Sequence, residues 1–386
     1  MELSSGVLRE RARWTGAVFA QKREPSPNSG VCTIGILPGE GIGPEVIGAA
    51  LGLLPAIERA RGVRFELRFG SEIGRDAERL TGRPLPDAVA RFCESVFADG
   101  GAILAGPGGG RFVYELRRRF DLFCKISPVF VSEVFAHAGR LKAAAVRGTD
   151  ILVVRENAGG MYFGEAREST LAGEGRVCEH TFRYSEREIR RIVEVGAALA
   201  VRRRRTLTVV VKDGGLPALT ALWRETAEDV AARAGLRVAF VNIDLVAYQL
   251  IQYPSMFDVV VADNLFGDVL ADVAAVLLGS RGLSYSGNFS AQGAAVYQTN
   301  HGGATDIAGE DRANPIGQIH SLAMMLRESF GLWQEAAWIE QGVEEVLCLG
   351  FRTFDMAEEG TALVGTRELG ERIASAVERI ARSSRR

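Results

Sequence analysis

Two aspartates, Asp268 and Asp272, lie four residues apart where the sequence changes from a strand pattern to a helix pattern. Residues 257–262 are mostly apolar and β-branched, as in a buried parallel strand, and Asp263-Asn264 can cap the helix that follows. The spacing of four places both carboxylates on one helical face, where they repel each other. A divalent cation would reverse that repulsion, and hard oxygen ligands suit Mg²⁺ or Mn²⁺ better than zinc. From the spacing alone, a metal site and a solvated acidic face both stay open.

The segments that must position these residues alternate between short β-rich runs and longer helical runs. The strand-like runs are residues 33–37, 101–105, 150–154, 207–211, 238–241 and 257–262. This alternation predicts an α/β fold with a mixed or parallel sheet. The basic runs 202–205 and 382–386 are typical of a solvated helix end and a charged tail.

A glycine-rich turn, Leu37-Pro-Gly-Glu-Gly-Ile-Gly-Pro44, follows the first strand and opens a helix. Its glycines alternate, so it is not the Gly-x-Gly-x-x-Gly turn of a dinucleotide-binding Rossmann fold. No Lys-Ser/Thr pair follows it, which excludes a P-loop. A simple tight turn explains the pattern equally well.

Length and composition limit the class of protein. A chain of 386 residues exceeds a comfortable single core, which favours two domains. The net charge of −2 gives no electrostatic case for binding nucleic acid or an anionic membrane surface. Five cysteines without paired spacing favour a reducing cytoplasm, and no apolar stretch is long enough to span a bilayer. Residues 1–30 mix basic and acidic residues without an apolar secretory core, so we expect a poorly ordered N-terminal extension.

Four segments resemble the β-decarboxylating dehydrogenases, the family of isopropylmalate, isocitrate, homoisocitrate and tartrate dehydrogenases, with the isopropylmalate branch closest in look. They are Leu37-Pro-Gly-Glu-Gly-Ile-Gly-Pro-Glu45, Val154-Arg-Glu-Asn-Ala-Gly-Gly-Met-Tyr-Phe-Gly-Glu165, Asp263-Asn-Leu-Phe-Gly-Asp-Val-Leu-Ala-Asp272, and His301-Gly-Gly-Ala-Thr-Asp-Ile-Ala-Gly309 with Ala313-Asn-Pro315. The resemblance extends from Val31 to the C-terminus, with the motifs in family order.

The resemblance implies an isopropylmalate dehydrogenase-like two-domain α/β fold. Residues 31–122 plus 280–386 would form a large cofactor-binding domain, and residues 123–279 a small domain with the metal helix and the dimer interface. The segment 165–182 would clasp a partner subunit, and the active site would lie in the interdomain cleft.

The chemistry implied by the resemblance is oxidation of a malate-type 2-hydroxy acid by NAD, loss of CO₂ and protonation of the enolate. Asp268 and Asp272 match the metal ligands, together with Asp244 from the partner subunit of a homodimer. Lys212, also from the partner, would take the hydroxyl proton, and Tyr162 would protonate the enolate. Taken singly, Asp244 is typical of a helix cap, Lys212 of a solvated cation and Tyr162 of a packing residue.

The cofactor would bind the loop that follows His301. The matching positions are His301, Gly302, Ala304, Asp306, Ile307 and Asn314. In the family, an acid at the position of Asp306 accepts hydrogen bonds from the adenosine ribose. A carboxylate there repels a 2′-phosphate, which favours NAD over NADP.

The substrate clamp departs from the family pattern. Arg117 and Arg155 match two of the three arginines that grip substrate carboxylates, but the third position holds Ser127. If the strand is extended, Lys125 and Ser127 point the same way, so Lys125 could supply the missing cation.

Two further departures lie near the substrate. Gly214 stands where the family has an asparagine, and the loop before Arg117 is short. Within that loop, Val113 and Tyr114 occupy the part that contacts the third substituent of the substrate, where aliphatic residues suit an isopropyl group. Arg111 could bind a distal carboxylate there or be a surface residue.

The sequence therefore predicts a metal- and NAD-dependent oxidative decarboxylation of 3-isopropylmalate or a related 2-substituted malate by a cytoplasmic homodimer. Tartrate-, homoisocitrate- and isocitrate-type activities are the alternatives within this class. A non-catalytic regulatory subunit is the alternative outside it, supported only by Ser127.

Overall fold

The fold alternates strands and helices along the chain, as the computed structural model shows for residues 14–18, 30–137 and 139–384. The strands are β1 Val31–Leu37, β2 Arg64–Phe69, β3 Ala102–Ala105, β4 Cys124–Phe130, β5 Asp150–Glu156, β6 Glu165–Leu171, β7 Gly175–Thr181, β8 Leu207–Val211, β9 Val238–Asn242, β10 Val259–Ala262, β11 Tyr285–Phe289, β12 Ala295–Thr299, β13 Phe351–Arg352 and β14 Ala362–Leu363. The helices are α1 Gly43–Leu51, α2 Leu54–Arg61, α3 Gly74–Thr81, α4 Asp87–Ala98, α5 Phe112–Arg119, α6 Ala143–Val146, α7 Glu186–Val201, α8 Pro217–Arg233, α9 Ile243–Gln252, α10 Asn264–Ala275, α11 Ile316–Glu328, α12 Trp333–Cys348 and α13 Thr366–Ser383. None of these helices combines the length and apolar character that a bilayer crossing requires.

A single ten-stranded sheet forms the centre, in the order β2-β1-β3-β12-β11-β4-β5-β10-β8-β9. Neighbouring strands run parallel except around β11 and β4, where the pairs β12/β11, β11/β4 and β4/β5 are antiparallel. Strands β8 and β10 and residues 151–154 of β5 are almost wholly apolar and are buried on both faces, as expected for parallel strands covered by helices. The predicted mixed α/β architecture is confirmed.

The sheet divides into two halves that come from different parts of the chain. Strands β1 to β3, β11 and β12 form one half, and β4, β5, β8, β9 and β10 form the other. The change from one half to the other lies between β11 and β4, close to the predicted domain boundaries near residues 122 and 280. The exact boundaries stay a prediction.

A separate two-stranded ribbon of β6 and β7 stands outside the main sheet, and nearly all of its residues are exposed. It coincides with the segment that we expect to clasp a partner subunit. His180 ties the ribbon to the turn that carries Tyr162, because its Nε2 lies 2.7 Å from the carbonyl oxygen of Met161.

Part of the N-terminal extension packs into the core, in contrast to the poorly ordered arm that we expect from the sequence. Trp14 begins a 3₁₀ turn and is 5% exposed. The backbone N–H of Thr15 donates to Oε2 of the buried Glu328 over 3.0 Å, and the guanidinium of Arg327 lies 4.8 Å from the Trp14 ring. Apolar burial and these buried polar partners offset the entropy cost of ordering residues 14–18. Residues 1–13 and 19–29 lie outside the described part of the chain.

Candidate active site

The metal helix predicted from the sequence is α10, which begins at the end of the buried strand β10. The side chain of Asp263 caps it by accepting from the backbone N–H of Phe266 over 2.7 Å, as the sequence predicts. Asp268 and Asp272 follow on one face, and about half of each carboxylate side chain is exposed. Accessible, paired carboxylate oxygens are the donor set that a hard divalent cation requires.

Arg155, at the end of β5, is held beside this helix by buried partners. Its Nε and Nη2 donate to Oδ1 of Asn264 over 3.0 and 2.7 Å, and Nδ2 of Asn264 donates to the carbonyl of Gly159 over 2.7 Å. Its Nη1 pairs with Oδ1 of Asp268. The hydroxyl of Tyr162 donates to the other oxygen of Asp268 over 2.9 Å. The predicted substrate arginine, enolate acid and metal ligand therefore lie in direct contact.

Two more buried cations face the same place. Lys125 stands directly opposite Arg155 in the β4/β5 register and is 5% exposed, and Arg117 on α5 is also 5% exposed. Neither makes an ion pair with a carboxylate of the described chain, whereas Arg155 does. Like charges placed directly opposite in a sheet are destabilising, so this arrangement costs stability unless an anion joins it.

The electrostatics of the site reflect burial and this excess of positive charge. Burial, followed by the neighbouring guanidinium of Arg155, lowers the pKa of Arg117 to about 9. Burial and the two arginines hold the pKa of Lys125 well below its usual value. Burial alone would raise the pKa of Asp268, but Arg155 and Lys125 outweigh it and hold that pKa below the ordinary value. Asp268 is thus ionised and ready to bind a cation.

The pKa of Tyr162 is shifted in the opposite direction, above its ordinary value. Burial and the adjacent Asp268 carboxylate raise its pKa, so the phenol keeps its proton. A protonated phenol is the form that can donate to a carbanion or enolate.

Aromatic rings line the side of the pocket next to Tyr162. The ring centroid of Tyr114 lies 5.3 Å from that of Tyr162 and 6.1 Å from that of Phe163. The guanidinium groups of Arg111 and Arg117 lie 5.3 and 5.5 Å from the Tyr114 ring. Tyr114 lies in the first turn of α5, not in a loop as the sequence predicts, and it places an aromatic ring with Arg111 beside it next to the predicted catalytic tyrosine.

Lys212 and Asp244 form a second cluster. Nζ of Lys212, at the end of β8, pairs with Oδ1 of Asp244 over 2.9 Å, and this hydrogen bond holds the pKa of Asp244 below its usual value. Asp244 lies inside the first turn of α9 and does not cap it, because Asn242 occupies the cap position. Within the described residues of one chain, no three Asp, Glu, His or Cys side chains are grouped to hold a metal. Asp244 is thus not brought together with Asp268 and Asp272 in a single subunit.

Ser127 lies deeper along β4. Its hydroxyl accepts from Nδ2 of Asn300 over 3.4 Å, and the same amide donates to Oγ of Ser284 over 2.7 Å. The position at which the resemblance to the family predicts a third arginine therefore holds a neutral hydrogen-bonding group.

The predicted cofactor loop follows β12 and contacts the glycine-rich turn after β1. The backbone N–H of Ile42 donates to the carbonyl of Gly303 over 2.8 Å. Gly41 has a φ of +59°, and a Cβ there would meet that carbonyl at 1.9 Å, so this close approach requires glycine. Burial lowers the pKa of His301, which keeps its ring neutral.

The remaining predicted cofactor residues lie on or next to this loop. Gly302, Ala304 and Asp306 are exposed, and Ile307 packs against the buried Ile42, Val46 and Ala313. Asn314 is buried, with Nδ2 donating to Oδ2 of Asp355 over 3.0 Å and Oδ1 accepting from Ile316 N over 3.0 Å. The side chain of Asn314 is thus engaged within the protein.

Two residues with direct roles at the site were not predicted. Asn264 orients Arg155, although the sequence suggested only a part in capping α10. Arg281 pairs with Asp272, its Nη2 lying 3.1 and 2.9 Å from the two carboxylate oxygens. The tandem Asp263-Asn264 was a weak signal for the first, and nothing in the sequence pointed to the second.

Comparison with known proteins identifies the class to which this fold and this site belong. The family model described as "Isocitrate/isopropylmalate dehydrogenase" matches residues 33–373. The chain belongs to that family, and the prediction that it is a dehydrogenase of this kind is confirmed.

Individual relatives support the assignment. The chain is 38% identical to the 3-isopropylmalate dehydrogenase of Priestia megaterium over 358 residues, which cover 89% of this chain and 95% of the relative. It is 38% identical to the 3-isopropylmalate dehydrogenase of Aquifex aeolicus, covering 90% and 97%. Among solved structures, the isocitrate dehydrogenase of Methylococcus capsulatus matches with a TM-score of 0.79 and 29% identity, covering 90% of this chain and 99% of that one.

Proposed function

We propose that this protein catalyses the metal- and NAD-dependent oxidative decarboxylation of a malate-type 2-hydroxy acid, 3-isopropylmalate or a related 2-substituted malate. The proposal rests above all on the buried cations Arg117, Lys125 and Arg155 around Asp268 and Tyr162. Fixed cations in a desolvated pocket select a substrate with more than one carboxylate. Curated relatives named 3-isopropylmalate dehydrogenase support the same reaction.

Five residues of the protein bind the substrate and transfer protons in the proposed reaction. Arg117, Lys125 and Arg155 bind and orient the substrate carboxylates. Lys212 takes the proton of the substrate hydroxyl as a neutral amine, so it must first lose the proton with which it pairs with Asp244. Tyr162 returns a proton to the product enolate from a phenol that its surroundings keep protonated.

A divalent ion, Mg²⁺ or Mn²⁺, fits Asp268 and Asp272 because both are accessible oxygen donors on one helical face. When bound, the ion would polarise the substrate hydroxyl and stabilise enolate charge. For the nicotinamide cofactor, the loop from His301 to Ile307 is held against the glycine turn, and the Asp306 carboxylate favours NAD.

A homodimer would complete the site. Large apolar side chains on and next to the adjacent helices α9 and α10 are exposed, namely Leu245, Tyr248, Val269 and Val276. Such a patch supports an interface with a second copy. We propose that Asp244 and Lys212 of one subunit meet Asp268 and Asp272 of its partner there. All five cysteines are free thiols, which supports a reducing cytoplasmic location.

The direct test is formation of NADH by the purified protein with Mn²⁺, followed by absorbance. The panel comprises 3-isopropylmalate, isocitrate, homoisocitrate, tartrate and malate. We expect turnover with at least one of them, and with NAD in preference to NADP. Asp268→Asn is the inactive control and should lose at least about a hundredfold in kcat.

The regulatory-subunit alternative makes a different prediction for the same experiment. Binding of Mn²⁺ and NAD without reduction of NAD by any acid of the panel would overturn the proposed activity.

A Tyr114→Ala variant, compared across the panel, then tests whether the aromatic ring beside Tyr162 contributes to the choice of substrate.

A further inference from the structure

Each of the three carboxylates that we assign to the metal forms an ion pair with a cationic side chain in this structure. Asp268 pairs with Arg155 and Asp244 pairs with Lys212. Arg155 and Lys212 each have a role in the proposed reaction. The third pair, Asp272 with Arg281, joins a metal ligand to an arginine that has no assigned role.

The Arg281 side chain is directed at Asp272 by a well-anchored turn. Arg281 begins the 3₁₀ turn Arg281–Leu283, and the preceding Ser280 caps it by accepting from Gly282 N over 3.0 Å. The Ser280 hydroxyl also donates to Asp355, which accepts from Asn314 as well. The backbone that carries Arg281 is thus fixed to the segment after the cofactor loop.

The geometry makes Arg281 a competitor for the metal. Nη2 of Arg281 lies within 3.1 Å of both oxygens of Asp272, the atoms that a divalent ion would need. A guanidinium stays charged at any physiological pH, so it cannot lose its charge when the ion arrives. It must move away, and its charge still repels the ion at short range.

We infer that Arg281 is a built-in competitor of the divalent cation for Asp272, because its guanidinium pairs with both carboxylate oxygens and so weakens the affinity of the site for metal. This inference rests on the proposed metal site. Arg281 acts only through its ion pair with Asp272. Both side chains are more than half exposed, so the ion pair contributes little stability and a divalent ion can displace it.

The experiment is calorimetric titration of Mn²⁺ into metal-stripped, full-length protein without substrate or NAD. Arg281→Met keeps the length of the side chain and removes its charge. We expect its Kd for Mn²⁺ to fall roughly threefold to tenfold. Arg281→Lys keeps the charge and should stay close to the wild type. Arg379→Met removes an equivalent surface charge that is paired with Glu345, and it should leave the Kd unchanged.

The possible outcomes distinguish the proposed metal site from the proposed role of Arg281 as a competitor. Asp272→Asn should weaken Mn²⁺ binding strongly. If the wild type binds no Mn²⁺, or binds it independently of Asp272, the proposed metal site fails and the inference fails with it. If binding depends on Asp272 but Arg281→Met has an unchanged or higher Kd, only the competitor role is overturned. Circular dichroism of each variant confirms that the fold is retained.

Discussion

At the residue scale, the proposed substrate pocket has a neutral Ser127 where the resemblance to the family predicts an arginine, and a buried Lys125 two residues before it. An extended strand predicts that Lys125 and Ser127 share a face, and both lie buried on β4. The register adds what the sequence could not supply, since it sets Lys125 directly opposite Arg155. With Ser127 neutral, Lys125 would supply the third positive charge of the clamp when the substrate carboxylates bind and favour its protonated form.

Replacing Lys125 by Met should therefore weaken substrate binding. Methionine keeps the apolar stem and removes the charge, so we expect the KM of the preferred acid to rise roughly thirtyfold or more, with a smaller effect on kcat. Lys142→Met, at an exposed lysine, is the matched control. An unchanged KM in Lys125→Met would show that this lysine does not contact the substrate.

Glu156, next to Arg155, makes stability depend on pH. Its burial raises its pKa from 4.5 to about 7, although the backbone N–H groups of Ala158 and Gly159 donate to it. The folded protein therefore binds this proton more tightly than the unfolded chain. The resulting stability is complete below about pH 4.5 and is lost as the pH rises through about 7. The loss amounts to about 3 kcal/mol at most.

Urea unfolding between pH 5 and 8 tests this dependence by comparing the wild type with Glu156→Gln. The difference in unfolding free energy between the two proteins should shift in favour of the glutamine variant as the pH rises. Glu359→Gln, at an exposed acid, should follow the wild type throughout. Parallel profiles for wild type and Glu156→Gln would contradict the raised pKa.

The residues that the sequence did not reveal act through long-range contacts. Asn264 reaches Arg155 across 109 positions, and Arg281 meets Asp272 only because a turn redirects the chain after α10. A local sequence pattern shows how residues are spaced along one element, which is why the Asp268 and Asp272 pair could be predicted. It does not show which side chain, distant in the sequence, will pack beside that pair.

At the scale of elements, the strands were predictable because buried parallel strands are continuous apolar runs. All six predicted runs lie in the main sheet, and residues 207–211 match β8 at both ends. The basic run 202–205 was interpreted as a solvated helix end, which is wrong for Arg203. That side chain is buried between Asp258 and Asp150, and it ties the end of α7 to the starts of β5 and β10. A charge run does not show which of its members finds a buried partner.

The mixed composition of the N-terminal extension did not indicate that segment 14–18 would be ordered. Trp14 packs in the core over Arg327, so Trp14→Ala should lower the free energy of unfolding by about 3 kcal/mol. The measurement is a denaturant titration. Trp333→Ala, at a tryptophan that is 37% exposed, is the control and should cost less. Equal, small losses in both variants would mean that the N-terminal turn contributes nothing to the core.

At the scale of the whole molecule, the proposed catalytic groups stand in two separate sets. Arg117, Lys125, Arg155, Tyr162 and Asp268 surround one pocket, whereas Lys212 and Asp244 pair with each other elsewhere. The resemblance to the family implies this separation, since it assigns Lys212 and Asp244 to the partner subunit. The exposed apolar side chains on and next to α9 and α10 offer a surface through which a second copy could join them.

Mixing two inactive variants tests whether the site is shared. Asp268→Asn and Lys212→Met should each be inactive alone. In a mixed dimer, one site would combine the intact Asp268 of one subunit with the intact Lys212 of the other, while the second site would carry both changes. Random pairing after co-expression should then restore about a quarter of the wild-type activity, because half the dimers are mixed and each has one working site.

The control mixes Lys212→Met with Asp244→Asn, which we assign to the same side of the interface. No mixed dimer of this pair contains a complete site, so no activity should return. Recovery in the first mixture alone establishes sharing between subunits, because folding defects or traces of wild-type protein would affect both mixtures alike. Inactivity of both mixtures, with mixed dimers verified by mass spectrometry, would place Lys212 and Asp268 of the same chain in one site. The distance between the two clusters in a single subunit would then have to close by a domain movement.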